Sequence, residues 1–239
     1  MKVKTTETLN SVKTTLVVVA LDPQSKADNP ISRTRTLKAM RAVLAGVPIV
    51  SPGWITSCLN EGKVVMPSAD MHVHTVPVKT VNPLINPDLE AFLLTARMHQ
   101  VKEKGMAQLL SNVRVLLCGQ HNAADGSPRK SDIQSLLQES GATMMTSIGG
   151  AMNKLKEVGD DDADKILLLC DECHHNDRCG LSTGLAKEAE AALERDSNGV
   201  LIVNSTWLFD SISCGEMASP KPFQPRSARA RDLWKLCNP

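Results

Sequence analysis

The stretch Gly46-Val47-Pro48-Ile49-Val50-Ser51-Pro52-Gly53-Trp54-Ile55 returns, without a gap, as Gly199-Val200-Leu201-Ile202-Val203-Asn204-Ser205-Thr206-Trp207-Leu208. The register holds past both segments, because Gly62 matches Gly215 and Pro67 matches Pro220. Each copy reads as a short apolar strand, a turn, and a helix that carries one tryptophan and ends at a glycine. Gly46, Trp54, Gly199 and Trp207 are therefore expected to be structural residues. A tryptophan held at one place in such a unit, twice, marks the duplication of one small domain.

Working outward, Thr15 to Leu21 is a continuous apolar, β-branched run, the pattern of a parallel strand covered on both faces. Asp22 to Thr34 carries Pro23 and Pro30 and reads as a loop. Arg35 to Ala45 reads as a helix, with Leu37, Met40 and Leu44 on one face and Gly46 as its stop. Val47 to Val50 is a buried strand, and Ser51-Pro52 opens the tryptophan helix with a cap and a first-turn proline. Trp54, Ile55, Cys58 and Leu59 give that helix an apolar face, repeated as Trp207, Leu208, Ser211 and Ile212. In the second copy Asn204 takes the cap position.

The second copy is more complete. Strands are expected at Val113–Cys118, Ala142–Ile148, Ile166–Cys170 and Val200–Val203. Helices are expected at Lys130–Glu139 and Leu185–Arg195. Alternating short strands and helices imply a small parallel sheet flanked by helices. The predicted organisation is a first repeat over 1–67, a linker over 68–107, a second repeat over 108–220 and a basic tail over 221–239. Pro87 to Lys104 in the linker looks helical, and Glu157 to Asp164 is an acidic loop insertion. The tail, with Arg226, Arg229, Arg231 and Lys235, reads as disordered, with nuclear import or nucleic-acid contact as its functional alternative.

The 239 residues suffice for two small cores. A net charge of +1 argues against gripping nucleic acid by bulk charge. The absence of tyrosine and the 3% aromatic content argue against a stacking platform for single strands. The seven cysteines are odd in number and sit mostly in apolar runs, which fits a reducing compartment. The N-terminus has no apolar signal-peptide core, and no run is long enough to span a bilayer, so a soluble intracellular protein is expected.

These residues resemble the BRCT domain: an apolar strand, a helix, then strand, turn and tryptophan helix closed by glycine. Two in tandem with a helical linker resemble the BRCT pairs of DNA-damage-response mediators, and the resemblance covers Thr14 to Pro220. It implies an α/β fold of two tandem units, each a small parallel sheet flanked by helices. A sharper match is Arg35-Thr36-Leu37-Lys38, since phosphopeptide-reading pairs carry Arg-Thr-x-Lys at the start of this helix. By that resemblance Lys38 and Thr36 bind the phosphate, and Arg35 contacts the peptide near its +3 position. Met40 and Phe209 take the positions of the remaining +3 pocket.

The bare chemistry agrees. A phosphoserine brings nearly two negative charges and three acceptors, and a helix N-terminus offers N–H groups and a positive dipole end. Arg35, Lys38 and Arg41 recur every three residues as a basic strip, which is either this site or a solvated helix face. Met40 and Phe209 serve equally as core residues between repeats.

The first repeat departs from the pattern. It lacks the first strand and first helix, and Met1 to Thr14 holds no Ser/Thr-Gly pair, which in the family completes the phosphate pocket. Either the coding sequence continues upstream or the first repeat has decayed to a structural partner. The unpaired sheet edge of the second option favours the first.

Other constellations carry less. Cys170-x-x-Cys173-His174-His175 with Cys179 has zinc-ligand types but no paired knuckle spacing. Asp160 to Asp164 lacks EF-hand spacing, and Gly180-x-x-x-Gly184 lacks the Lys-Ser/Thr of a phosphate loop. The expectation is a nuclear, non-enzymatic module without cofactor or bound metal, recognising a phosphorylated protein in the response to DNA damage. DNA contact is expected only indirectly or through the tail, and membrane contact is not. The alternatives are a phosphate-independent scaffold, binding of a phosphorylated DNA end, and a zinc-dependent activity.

Overall fold

The apolar runs form parallel strands. The fold is taken from a computed structural model, which describes residues 14–21, 31–32, 36–68, 71, 74–75, 108–119, 121, 128–149, 165–170, 182–195, 200–225 and 228–237. The chain divides into two compact units. One comprises Met1–Met106 with Phe209–Met217, the other Ala107–Leu208 with Ala218–Pro239. The fold is α/β, with small parallel sheets flanked by helices.

The larger sheet contains β5 (Val113–Cys118), β6 (Thr143–Met144), β7 (Lys165–Cys170) and β8 (Val200–Asn204), in the order β6-β5-β7-β8. All its pairings are parallel, with Val113 opposite Lys165 and Ile166 opposite Val200. Leu167, Leu168 and Leu169 of β7 are all 0% exposed. Side chains alternate across a strand, so three consecutive buried leucines require cover on both faces. One face packs Ile166, Leu168 and Cys170 with Ala186, Ala189, Ala192 and Leu193. These four lie on the helix Thr183–Arg195, here α4. The helix Lys130–Glu139, α3, buries Ile133, Leu136 and Leu137.

The terminal segment corrects one expectation. The tail is not free, because after the helix Thr206–Cys214, α5, residues Ala228–Cys237 form a further helix, α6, whose Ala230 and Leu233 join the core with Ile202 and Val200. Its pattern was legible at 3.6-residue spacing. Arg229 and Arg231 occupy the exposed face of this amphipathic helix.

The first unit is built on two-residue strands. β1 (Val17–Val18) pairs in parallel with β3 (Ile49–Val50), and β2 (Ile31–Ser32) pairs in parallel with β4 (His74–Thr75). The second pairing was not expected, since 31–32 read as loop and 74–75 as linker. Strands this short carry no period to read. The helices α1 (Leu37–Leu44) and α2 (Gly53–Asn60) belong to this unit, as do residues 209–214 of the helix Thr206–Cys214. The predicted helix over 87–104, the acidic insertion and Cys173 to Cys179 lie outside the described residues.

The duplication is visible in the backbone. Ile49 faces Val17 as Ile202 faces Leu168, so β1 stands where β7 does and β3 where β8 does. Trp54 Nε1 donates to the carbonyl of Val65 at 2.9 Å, and Trp207 Nε1 to that of Ala218 at 2.8 Å, each eleven residues on. Gly62 and Gly215 close their helices at φ 63° and 66°. The peptide N–H groups of Gly62 and Gly215 donate to Leu59 and Ile212.

The equivalence even continues past the prolines. Ser51 N–H donates to Met71 and Asn204 N–H to Phe223, while Met71 and Phe223 each turn back to the carbonyl three residues earlier, Ser68 and Pro220. Here the structure corrects the sequence register, since Ser68 and not Pro67 is the counterpart of Pro220. The first copy carries one residue more than the second between the tryptophan's acceptor and the turn.

Candidate functional site

The basic strip was expected on a helix starting at Arg35. The helix starts two residues later, at Leu37, because Thr36 caps it. Thr36 has extended geometry (φ −67°, ψ 150°), its Oγ1 accepts from the Ala39 N–H at 3.2 Å, and its carbonyl accepts from Met40 N–H at 3.1 Å. Threonine suits this place because its oxygen replaces the helical acceptor that the third turn residue lacks. The hydroxyl is thus already used as an acceptor, and it retains its proton to donate. The other end of α1 is a Schellman motif. Gly46 at φ 63° donates to Val43 and Val47 donates to Ala42, which a residue with a Cβ would resist.

Lys38 sits in the first turn, exposed, and no acidic residue stands there with it. That placement runs against the helix dipole, which favours anions at this end. Lysine and dipole together make a local excess of positive charge that an anion relieves. Arg41, one turn on, is half-buried and engaged in an interaction of its own. Arg35 and Gly199 lie outside the described residues.

The expected +3 residues are placed differently. Met40 is 0% exposed and Phe209 8% exposed, so both are core residues as the structure stands. Met40 presents no surface to a peptide. It lies on the inner face of α1 with Ala39, Ala42 and Val43, which the helical period requires once Lys38 points outward.

The second copy shows what the frame alone supplies. Ser182 caps α4 as Thr36 caps α1, its Oγ accepting from Leu185 at 3.3 Å and its carbonyl from Ala186 at 2.9 Å. In that register Gly184 stands where Lys38 stands, and Lys187 where Arg41 stands. The first-turn cation belongs to the first copy only.

The tryptophan pair is also unequal. Trp207 is 0% exposed, whereas Trp54 is half-buried. The expected apolar face of α2 is open, with Ile55 44% and Leu59 70% exposed and only Cys58 buried. Ser51 does not cap α2, whose N-cap is Pro52 without a side-chain bond. Asn204 does serve its copy. Its Oδ1 accepts from Thr206 N–H at 3.1 Å, and its Nδ2 donates to the Gln224 carbonyl at 3.2 Å.

At the carboxyl ends of the central strands, Cys118 and Cys170 stand opposite each other in register, both 1% exposed and neither in a disulfide. His121 follows, buried, at φ 46° in the left-handed region. No sequence signal marked it. Among the described residues no group of three or more His, Cys, Asp or Glu is placed to hold a metal. No helix among them is long and apolar enough to cross a membrane.

No family model matches the chain, and no curated protein matches it in sequence. Among solved structures, the chain is similar to the crystal structure of the S. pombe Brc1 BRCT5-BRCT6 domains, at 16% identity and a TM-score of 0.49, over 84% of this chain and 92% of that one.

Proposed function

We propose that this chain is a tandem BRCT-like, non-enzymatic interaction module that binds a phosphorylated protein segment at the N-terminus of α1. The observation that carries the reading is Lys38. It is an exposed cation in the first turn of a threonine-capped helix, inside one copy of a duplicated strand–turn–tryptophan unit. Lys38 supplies the charge, and the Thr36 hydroxyl and first-turn N–H groups supply directed donors, giving short charge-assisted bonds to phosphate. Arg35, three residues before Lys38, is assigned to the peptide chain beyond the phosphate. A nuclear role in the response to DNA damage rests on the sequence resemblance.

The test is binding of matched phosphorylated and unphosphorylated peptide libraries to the full chain. Wild type should prefer the phosphorylated set, and Lys38→Met should abolish the preference while leaving the fold intact. An unchanged preference in Lys38→Met sinks the assignment. One observation favours a second reading, a phosphate-independent scaffold: Met40 is sealed in the core. That reading predicts equal binding of both peptide sets.

A further inference from the structure

We propose that Cys118 and Cys170 are a reversible oxidation site, closed to a disulfide by a hydroperoxide and reopened by a thiol. The starting observation is their register. Cys118 is the last residue of β5 and Cys170 the last of β7, and the two are direct partners across the parallel pairing. Both belong to one core cluster with Leu116, Ile166 and Leu168, residues spaced by two along each strand, so both thiols stand on the same face of the sheet.

That placement meets the geometry of the bond. Neighbouring strands lie about 4.8 Å apart, and disulfide-bonded residues have Cα atoms roughly 4.4–6.8 Å apart. Closure therefore calls for side-chain rotation and at most a small approach of the strand ends. Neither is strongly opposed. The Cys118 thiol donates only a weak bond, to the Leu116 carbonyl at 3.7 Å. Among the described residues, β6 pairs with β5 at Arg114 and Val115 alone, so from Leu116 to Cys118 the strand is paired only with β7.

Burial sets the rate and register sets the product. Both side chains are 1% exposed, so a small oxidant reaches them when the strand ends open locally, and the reaction is slow. The thiolate of one cysteine attacks an oxygen of hydrogen peroxide, the O–O bond breaks, and a sulfenic acid forms as the first water leaves. The thiol of the other attacks that sulfur, the S–S bond forms, and the sulfenic oxygen leaves as the second water. The two thiols thus give up two protons and two electrons, which the peroxide takes. A partner one strand away intercepts the sulfenic acid before it is oxidised further. The bond closes the chain from Gly119 to Leu169, with α3 and β6 inside it, into a loop, which restricts the unfolded state and raises the melting temperature.

The experiment treats the full folded chain with hydrogen peroxide, blocks the remaining thiols with N-ethylmaleimide, and maps disulfides by mass spectrometry of unreduced digests. A peptide joining Cys118 to Cys170 should appear, disappear on reduction with dithiothreitol, and accompany a melting temperature several degrees above that of the reduced chain. Cys118→Ser should lose both the link and the rise. The competing partners are Cys237, which packs against the same cluster, and Cys173, three residues beyond Cys170, so Cys237→Ser and Cys173→Ser should each keep the link. The wild-type digest decides the question even should Cys118→Ser fold poorly. Absence of the Cys118–Cys170 peptide overturns the proposal. So does its formation only in chain unfolded by urea, or a link from either cysteine to Cys173 or Cys237 in its place.

Discussion

Replacing each of the paired tryptophans separates what the duplication preserved from what it did not. Trp207 is fully buried and Trp54 is not, yet both donate the same indole hydrogen bond to a carbonyl eleven residues on. Trp207→Ala should therefore cost about 3–5 kcal/mol, the range for truncating a large side chain inside a packed core. Trp54→Ala should cost about 1–2 kcal/mol, because solvent already covers part of the ring and no closed cavity forms. Phenylalanine isolates the other contribution. Trp54→Phe and Trp207→Phe each lose the indole donor, worth about 0.5–1.5 kcal/mol net, and should differ from one another far less than the alanine pair. Urea denaturation followed by far-UV circular dichroism and by fluorescence measures all four. Each variant retains two of the three tryptophans as probes. Two compact units need not unfold together, so the two signals are to be fitted separately. A Trp54→Ala cost equal to that of Trp207→Ala would refute the claim that α2 and its counterpart differ in burial.

Further outcomes follow from local geometry. Thr36→Ala removes the cap on α1 and should cost about 1 kcal/mol, with Thr36→Ser recovering most of it in the same denaturation assay. Gly62 has φ 63° with no atom within 4 Å of an added Cβ, so Gly62→Ala should cost only the backbone strain, about 1–2 kcal/mol. Gly141→Ala should cost more, because at φ 89° its Cβ would also meet Gln108 Cβ, next to the backbone, at 2.7 Å. Burial pushes the Cys237 thiol up to about 11 from 9.0. Between those values the unfolded chain releases the proton first, so stability should fall as pH rises through this window. The fall should be smaller in Cys237→Ser, read as the change in urea midpoint between pH 8 and pH 10.5.

Much of this architecture is legible in the sequence where the pattern is long. The six-residue strands β5 and β7 and the helix Lys130–Glu139 stand where the apolar run and the 3.6-residue spacing put them. What escapes is set by tertiary context. Ser51 and Asn204 are both good caps by type, but only Asn204 bonds the helix, and its amide is held from behind by Gln224. Ile55 and Leu208 are equally apolar, and nothing in either residue says which one is covered. In the candidate site, Met40 lies on the apolar face that its three-residue spacing from Leu37 marks, whereas the cap at Thr36 depends on where α1 begins, two residues later than its sequence pattern suggests.

The two copies also show which part of the unit is frame and which is free to specialise. Both keep the parallel strand pairing, the indole-to-carbonyl bond, the positive-φ glycine and the turn that returns to the strand. These features satisfy backbone groups that would otherwise be left unpaired on burial, so losing any one destabilises the unit whatever it binds. The exposed first turn of the capped helix is under no such constraint. There one copy carries Lys38 and the other Gly184, behind caps of the same kind. A lysine at the positive end of a helix dipole lowers stability slightly, and glycine within a helix does so as well, by about 1 kcal/mol relative to alanine. Neither choice serves the fold. Local rules broken without a gain in stability are where function is to be sought, and Lys38 breaks one at the place where an anion would repair it.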